Sequence, residues 1–224
     1  MALEARNITG FDVVEFRGPG TLKLSQGERE SLKIHAPGYV IDHIRAEVRD
    51  GRLLLGYVSP QIVSLRVYSE VISFDLTVRD LKRLKQSGSG KIIAPDIDVD
   101  RIEVQMEGSG KLYLQHLTAD HLGVSLSGSG LVSVAGDVES QVVNLTGSGR
   151  YQGEHLVSDF ASLTLSGSGK ADVSTSDSLD VRITGSGTVS YAGYPEVTKQ
   201  VSGSGKLVRR RRQKQKAYRG EEHG

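Results

Sequence analysis

LSGSGLVSV, residues Leu126 to Val134, decides the fold. Ser-Gly-Ser-Gly has the composition of a flexible linker, yet here alternating aliphatic residues enclose it. Gly-Ser-Gly recurs at 88–90, 108–110, 128–130, 147–149, 167–169, 185–187 and 203–205, in steps of 20, 20, 19, 20, 18 and 18 residues. A linker has no cause to keep a period, whereas the coils of a solenoid must. The seven copies hold 14 of the 27 glycines, so the glycine excess is periodic and not low complexity.

Positions counted from each motif fall into apolar columns. Met106, Leu126, Leu145, Leu165, Ile183 and Val201 stand two before the first glycine, and Leu84, Val104, Val124, Val143, Leu163 and Val181 stand four before it. Ile92, Leu112, Val132, Tyr151, Ala171, Val189 and Leu207 stand two after the last glycine. Alternation on both sides of the motif says strand, and a unit of about 20 residues suits one coil of a parallel β-helix. Counting by twos from Leu126 passes through Gly128 and Gly130 to Val132, which predicts both glycines inward and Ser127 and Ser129 outward. The motif is then a corner, where the inside of the bend has no room for a Cβ. The expected fold is all-β, a parallel β-helix over 81–208 with coils of 18–20 residues about 4.8 Å apart.

Composition agrees with this. The chain has 224 residues, 37% of them hydrophobic, with no Trp, so its core is built from Val, Leu and Ile. No apolar run reaches the roughly 18 residues of a membrane helix, which predicts a soluble protein. The absence of Cys excludes disulfides, thiolate metal sites and cysteine nucleophiles. The opening MALEARNITG lacks the apolar core of a signal peptide. The expectation is a cytoplasmic protein, or one whose export signal was lost by processing or cloning. A net charge of +1 hides an asymmetry: residues 206–224 hold eight Lys or Arg against two Glu, and the other 205 residues hold 20 basic and 25 acidic groups.

In the N-terminal third, Gly18-Pro19-Gly20 has Phe16 two before it and Leu22 two after, the pattern of a degenerate first corner. The stretch 39–58 predicts a helical turn at 39–46, then two strands joined at Asp50-Gly51. Residues 1–80 are expected to form an irregular β cap over one end of the stack, and 209–224 a basic, disordered tail. FDVVEFRGPGTLKLSQGERESLKIHA, YVIDHIRAEVRDGRLLL, the repeated corners and VSYAGYPEVTKQVSGSGKL resemble the DUF2807 family, also named the putative auto-transporter adhesin head GIN domain. The resemblance covers about 7–207. It implies a right-handed parallel β-helix in a bacterial protein exported or anchored in the cell envelope. It brings no defined catalytic residues.

Candidate sites follow from the columns. Ser89, Ser109, Ser129, Ser148, Ser168, Ser186 and Ser204 lie within the corners, and Ser87, Ser127, Thr146, Ser166, Thr184 and Ser202 precede them. Stacking aligns them into two rows of hydroxyls, a platform for sugars, ice or another surface. The plainer reading is that small polar residues suit tight turns. Asp96, Asp98 and Asp100 graze a calcium-loop pattern, but Arg101 stands where that loop needs Gly. Asp100 and Asp120 share an offset of ten residues from their corners. With His121 they are the residues an acid–base glycosidase reading would use, against solvated loop carboxylates as the plainer one. His116 and His155 share a column two coils apart, too far to hold one ion, and no cofactor or metal is expected. In the tail, Arg209, Arg210, Arg211, Arg212, Lys214 and Lys216 are candidates for contact with anionic lipid or nucleic acid. The leading functional expectation is a non-enzymatic surface-binding or scaffold module, adhesin-like, with a glycan or cell-surface ligand. Self-association is left open. A polysaccharide-active enzyme and a cytoplasmic structural protein using its basic tail are the alternatives.

Overall fold

A computed structural model describes residues 2–58 and 72–210. In chain order the elements are β1 (Ala2–Arg6), β2 (Val13–Arg17), β3 (Thr21–Gln26), β4 (Ser31–Ala36), α1 (Gly38–Ile41), β5 (Ile44–Arg49), β6 (Arg52–Tyr57), β7 (Ser73–Val78), β8 (Arg83–Gly88), β9 (Lys91–Ala94) and β10 (Ile97–Asp98). They continue as β11 (Arg101–Gly108), β12 (Lys111–Gly128), β13 (Leu131–Gly147), β14 (Arg150–Gly167), β15 (Lys170–Gly185), β16 (Thr188–Ala192), β17 (Glu196–Gly203) and β18 (Lys206–Arg209).

From β8 onward the strands stack in parallel as a β-solenoid of about six turns. Corners meet corners: Gly108 pairs with Gly88 and Gly128, Gly128 with Gly147, Gly147 with Gly167, Gly167 with Gly185, and Gly185 with Gly203. The coils differ in length by up to two residues, and bends away from the corner absorb the difference. Registers shift between Leu114 and Leu117, between Ser133 and Ala135, and between Gly153 and Val157.

Inward columns fill the stack. Leu126, Leu145 and Leu165 are each 1% exposed, and Val104, Val124, Val143, Leu163 and Val181 are buried with them. Each full burial contributes roughly 1.5–3 kcal/mol before entropy is counted. A few polar groups enter this interior. Tyr151, fully buried, donates from its hydroxyl to Gln141 Oε1 at 2.9 Å, and Gln141 Nε2 donates to Ser158 Oγ at 2.8 Å. Burial pushes the Tyr151 phenol well above its ordinary range, so it stays a donor. Ala171 lies in register with Tyr151 on the next coil, leaving room for the ring. Buried Gln86 donates from Nε2 to the Gly90 carbonyl, and its Oε1 has no hydrogen-bond partner among the described residues.

The first corner is real: Gly18 and Gly20 have φ of +95° and +109°. Its coil, β2 and β3, does not lie at the end of the stack. β2 pairs in parallel with β6 on one side and β8 on the other, and β3 likewise with β7 and β9. The layer made of residues 13–26 is therefore sandwiched between the layer of 52–57 and 73–78 and the layer of 83–94. Beyond it, β4 pairs antiparallel with β7, β1 with β4, and β5 with β6, which turns the far end away from the parallel ladder. The expected helical turn is shorter than predicted, only Gly38–Ile41, because β5 begins at Ile44. The Asp50-Gly51 turn joins β5 to β6 with both residues at positive φ, +50° and +72°, the geometry a two-residue hairpin demands.

Candidate corner ridge

The two glycines of each corner differ, contrary to the expectation that both face inward. The second is buried at every Gly-Ser-Gly corner but the last, where Gly205 is half-buried, and the first is mostly exposed. The first carries the unusual backbone, with φ of +97° at Gly88, +108° at Gly128 and +115° at Gly167. A Cβ on Gly128 would lie 2.5 Å from the Gly108 carbonyl oxygen of the preceding coil, and one on Gly167 would lie 2.6 Å from that of Gly147. A Cβ on the second glycine would instead strike the inward column below, as Gly149 would meet Leu126 Cδ2 at 2.8 Å.

Between them, the backbone N–H of the middle serine donates to the first glycine's carbonyl one coil back. Ser109 reaches Gly88 at 3.0 Å, and Ser129, Ser148, Ser168 and Ser186 reach their partners at 2.9 Å. The residue after the corner repeats the pattern, as Leu131 does to the Gly110 carbonyl at 3.0 Å. Backbone bonding thus continues through the bend, and the corner is rigid. The middle serines from Ser89 to Ser204 are exposed, and among the described residues their hydroxyls make no hydrogen bond to protein. A second row, from Ser87 to Ser202, runs beside them, broken by Glu107, which pairs with Lys85 at 3.4 Å. The structure therefore brings all the sequence-predicted hydroxyls onto one ridge along the stack.

The carboxylates behave differently. Asp100 and Asp120 do sit on adjacent coils: the N–H groups of Asp120 and His121 both donate to the Asp100 carbonyl, at 3.0 and 3.1 Å. Registers on either side place Glu139 and then Asp159 next in that column. His121 Nδ1 lies 2.9 Å from Ser140 Oγ. A half-open groove of about 1120 Å³ lies at this bend near the N-terminal layers, and Asp12, Asp98, Asp100, Arg101 and Glu103 line it. Asp120 and His121 are not among its lining residues. No group of three or more His, Asp or Glu side chains among the described residues is placed to hold a metal ion.

At the end of the chain, Arg209 lies over the Tyr194 ring, 3.8 Å from its centroid, and donates from Nε to the Gly193 carbonyl at 3.1 Å. Arg210 bridges Glu154 at 2.8 Å and Asp172 at 2.7 Å, across two earlier coils. Both cations are thus engaged within the molecule. Arg211, Arg212, Lys214 and Lys216 lie outside the described residues.

A family model described as "Putative auto-transporter adhesin, head GIN domain", DUF2807, matches residues 10–195. The chain belongs to the DUF2807 family. No curated protein matches it. Among solved structures, a "putative adhesin" from Bacteroides fragilis is 20% identical, with 93% of this chain and 95% of that one covered at a TM-score of 0.84. A "Putative lipid binding protein" from Parabacteroides distasonis is 24% identical, with 94% and 96% covered at 0.76. A "putative adhesin" from Parabacteroides merdae is 20% identical, with 94% and 96% covered at 0.72. At these identities the likeness is one of fold. The DUF2807 chain shares their stacked architecture over more than nine-tenths of its length.

Sequence reading missed one further column. The residue directly after each corner is Lys91, Lys111, Arg150, Lys170 or Lys206 in five of seven coils. Aligning the repeats by outward as well as inward positions reveals it.

Proposed function

We propose that this protein is a non-catalytic surface-binding module, adhesin-like, that engages an extended glycan or other cell-surface polymer along its corner ridge. The observation that carries this reading is the row of middle serines, exposed and without protein partners for their hydroxyls among the described residues, on a backbone that hydrogen bonds through the corners from Ser109 to Ser186. Such a row presents donors and acceptors in fixed positions about 4.8 Å apart, so binding an extended partner costs little ordering of the protein. Membership of a family described as adhesin heads supports the binding role and a place at the cell envelope. No helix among the described residues is long and apolar enough to cross a membrane.

The test is a glycan array probed with the full chain and with the variant Ser109→Ala/Ser129→Ala/Ser148→Ala/Ser168→Ala. The exposed hydroxyls make the variant as stable as the parent, within about 0.5 kcal/mol per site, and the captured glycans are lost. Capture unchanged by the four alanines, or release of reducing ends from a captured glycan, overturns the reading.

A further inference from the structure

The column directly after the corners has a chemistry the serine row lacks. Thr21 pairs with Lys91, Lys91 with Lys111, Lys111 with Leu131, Leu131 with Arg150, Arg150 with Lys170, Lys170 with Thr188, and Thr188 with Lys206. Lys91, Lys111, Arg150, Lys170 and Lys206 are all exposed. Lys91 lies over the Tyr113 ring, 5.3 Å from its centroid. The side chains of the other four take part in no ion pair or hydrogen bond among the described residues, their backbone N–H groups alone donating one coil back.

Elsewhere the surface cations divide: Arg29, Lys33, Arg83, Arg101, Arg182 and Lys199 also form no ion pair among the described residues, but they do not stack in one column, and others are paired. Arg6 is held by Glu4, Arg17 by Glu15, Lys82 by Asp12 and Arg210 by Glu154 and Asp172. Acidic residues are available, but Asp100, Asp120, Glu139 and Asp159 are collected in a column at a different bend. Like charges directly across a strand pair destabilise by roughly 0.2–1 kcal/mol. Lys91 with Lys111 and Arg150 with Lys170 are two such pairs, and beyond the Tyr113 ring beside Lys91 no contact among the described residues offsets them. An anion laid along the column would.

We infer that this column and the serine row beside it bind a linear acidic polysaccharide lying along the stack axis. Its carboxylate or sulfate groups meet the cations, and its ring hydroxyls meet the serines. This rests on the surface-binding reading and names its ligand class. The rise from layer to layer is about 4.8 Å, of the order of one sugar ring with its linking oxygen. Phosphates along one strand of a duplex advance by about 3.4 Å, so a nucleic acid falls out of step with successive layers. A bilayer surface calls for apolar side chains beside the charges, and between Lys91 and Lys206 this column offers only Leu131, itself half-buried.

The experiment titrates polygalacturonate, with neutral dextran as control, against the full chain and the full-chain variant Lys111→Gln/Arg150→Gln/Lys170→Gln, across about 50 to 200 mM salt. Both proteins carry the same residues 211–224, so their difference reports the column alone. The variant is expected to bind polygalacturonate at least about tenfold more weakly at low salt, with a slope of log affinity against log salt smaller by about 2. Lys111→Arg/Lys170→Arg, which keeps the charges, retains binding and controls for folding. Equal affinity of parent and Gln variant for polygalacturonate overturns the inference. So does column-dependent capture of duplex DNA or anionic phospholipid vesicles in preference to polygalacturonate. Dextran bound as well as polygalacturonate, and lost only in the serine variant, overturns it while leaving the corner-ridge reading standing. A parent that captures no glycan of any charge removes both.

Discussion

At each corner the two glycines answer to different neighbours. The first sits at φ near +110° with its would-be Cβ against the carbonyl of the corner below, and the second leaves space for a side chain of the inward column. A backbone carbonyl cannot rotate out of the way, so Gly128→Ala is expected to cost about 1–3 kcal/mol. Ser129→Ala, one residue on and facing solvent, stays within about 0.5 kcal/mol. Urea unfolding of the two variants checks the pair. Equal effects mean that the corner tolerates a Cβ. The sequence made the corner legible because its period and its flanking aliphatic columns agree. It did not distinguish the two glycines, because counting by twos assumes an unbent strand, and the bend rotates Gly128 out of the alternation before Gly130 rejoins it. The hydroxyl row was legible for the same reason as the corner. The cations beside it are as periodic but went unread, since core positions were the ones aligned.

At the scale of the strand, position in the stack decides the value of the same side chain. Ile183 in β15 and Val201 in β17 are register partners in one inward column. Ile183 is fully buried, whereas Val201 is 42% exposed, because no described strand lies over β17. Ile183→Ala is expected to cost about 2–5 kcal/mol, the range for deleting a buried aliphatic side chain. Val201→Ala costs under about 1 kcal/mol, because half of its surface already meets water and no closed cavity forms. Thermal unfolding of both proteins checks this. A large loss for Val201→Ala means that its column is covered in solution. Such graded burial is invisible in the sequence, where Val201 continues the column without a break. The polar trio Gln141, Tyr151 and Ser158 was half legible. Tyr151 stood in an inward column, but only the bends that bring Gln141 and Ser158 to its hydroxyl show why a phenol is tolerated there.

At the scale of the molecule, charge is sorted by edge. One bend carries the cation column from Lys91 to Lys206, another the carboxylates from Asp100 to Asp159, and Arg209 and Arg210 are drawn back onto earlier coils. Layer order was the feature least legible in the sequence. Parallel pairing between residues some 70 positions apart, as between Val13 and Arg83, leaves no local signature, and the pattern of 13–26 is as well suited to an end as to a middle. That placement reverses the usual logic of trimming a repeat protein, in which removing a terminal unit shortens the array and spares the remainder. Deleting residues 2–27 here takes out a middle storey, so the floors on either side lose their shared partner and calorimetry should show two separate melting events or none. It also bears on synthesis: the earliest coil to leave the ribosome has both its neighbours still unmade, and the layers on its two sides are complete only once residues 78 and 94 have emerged.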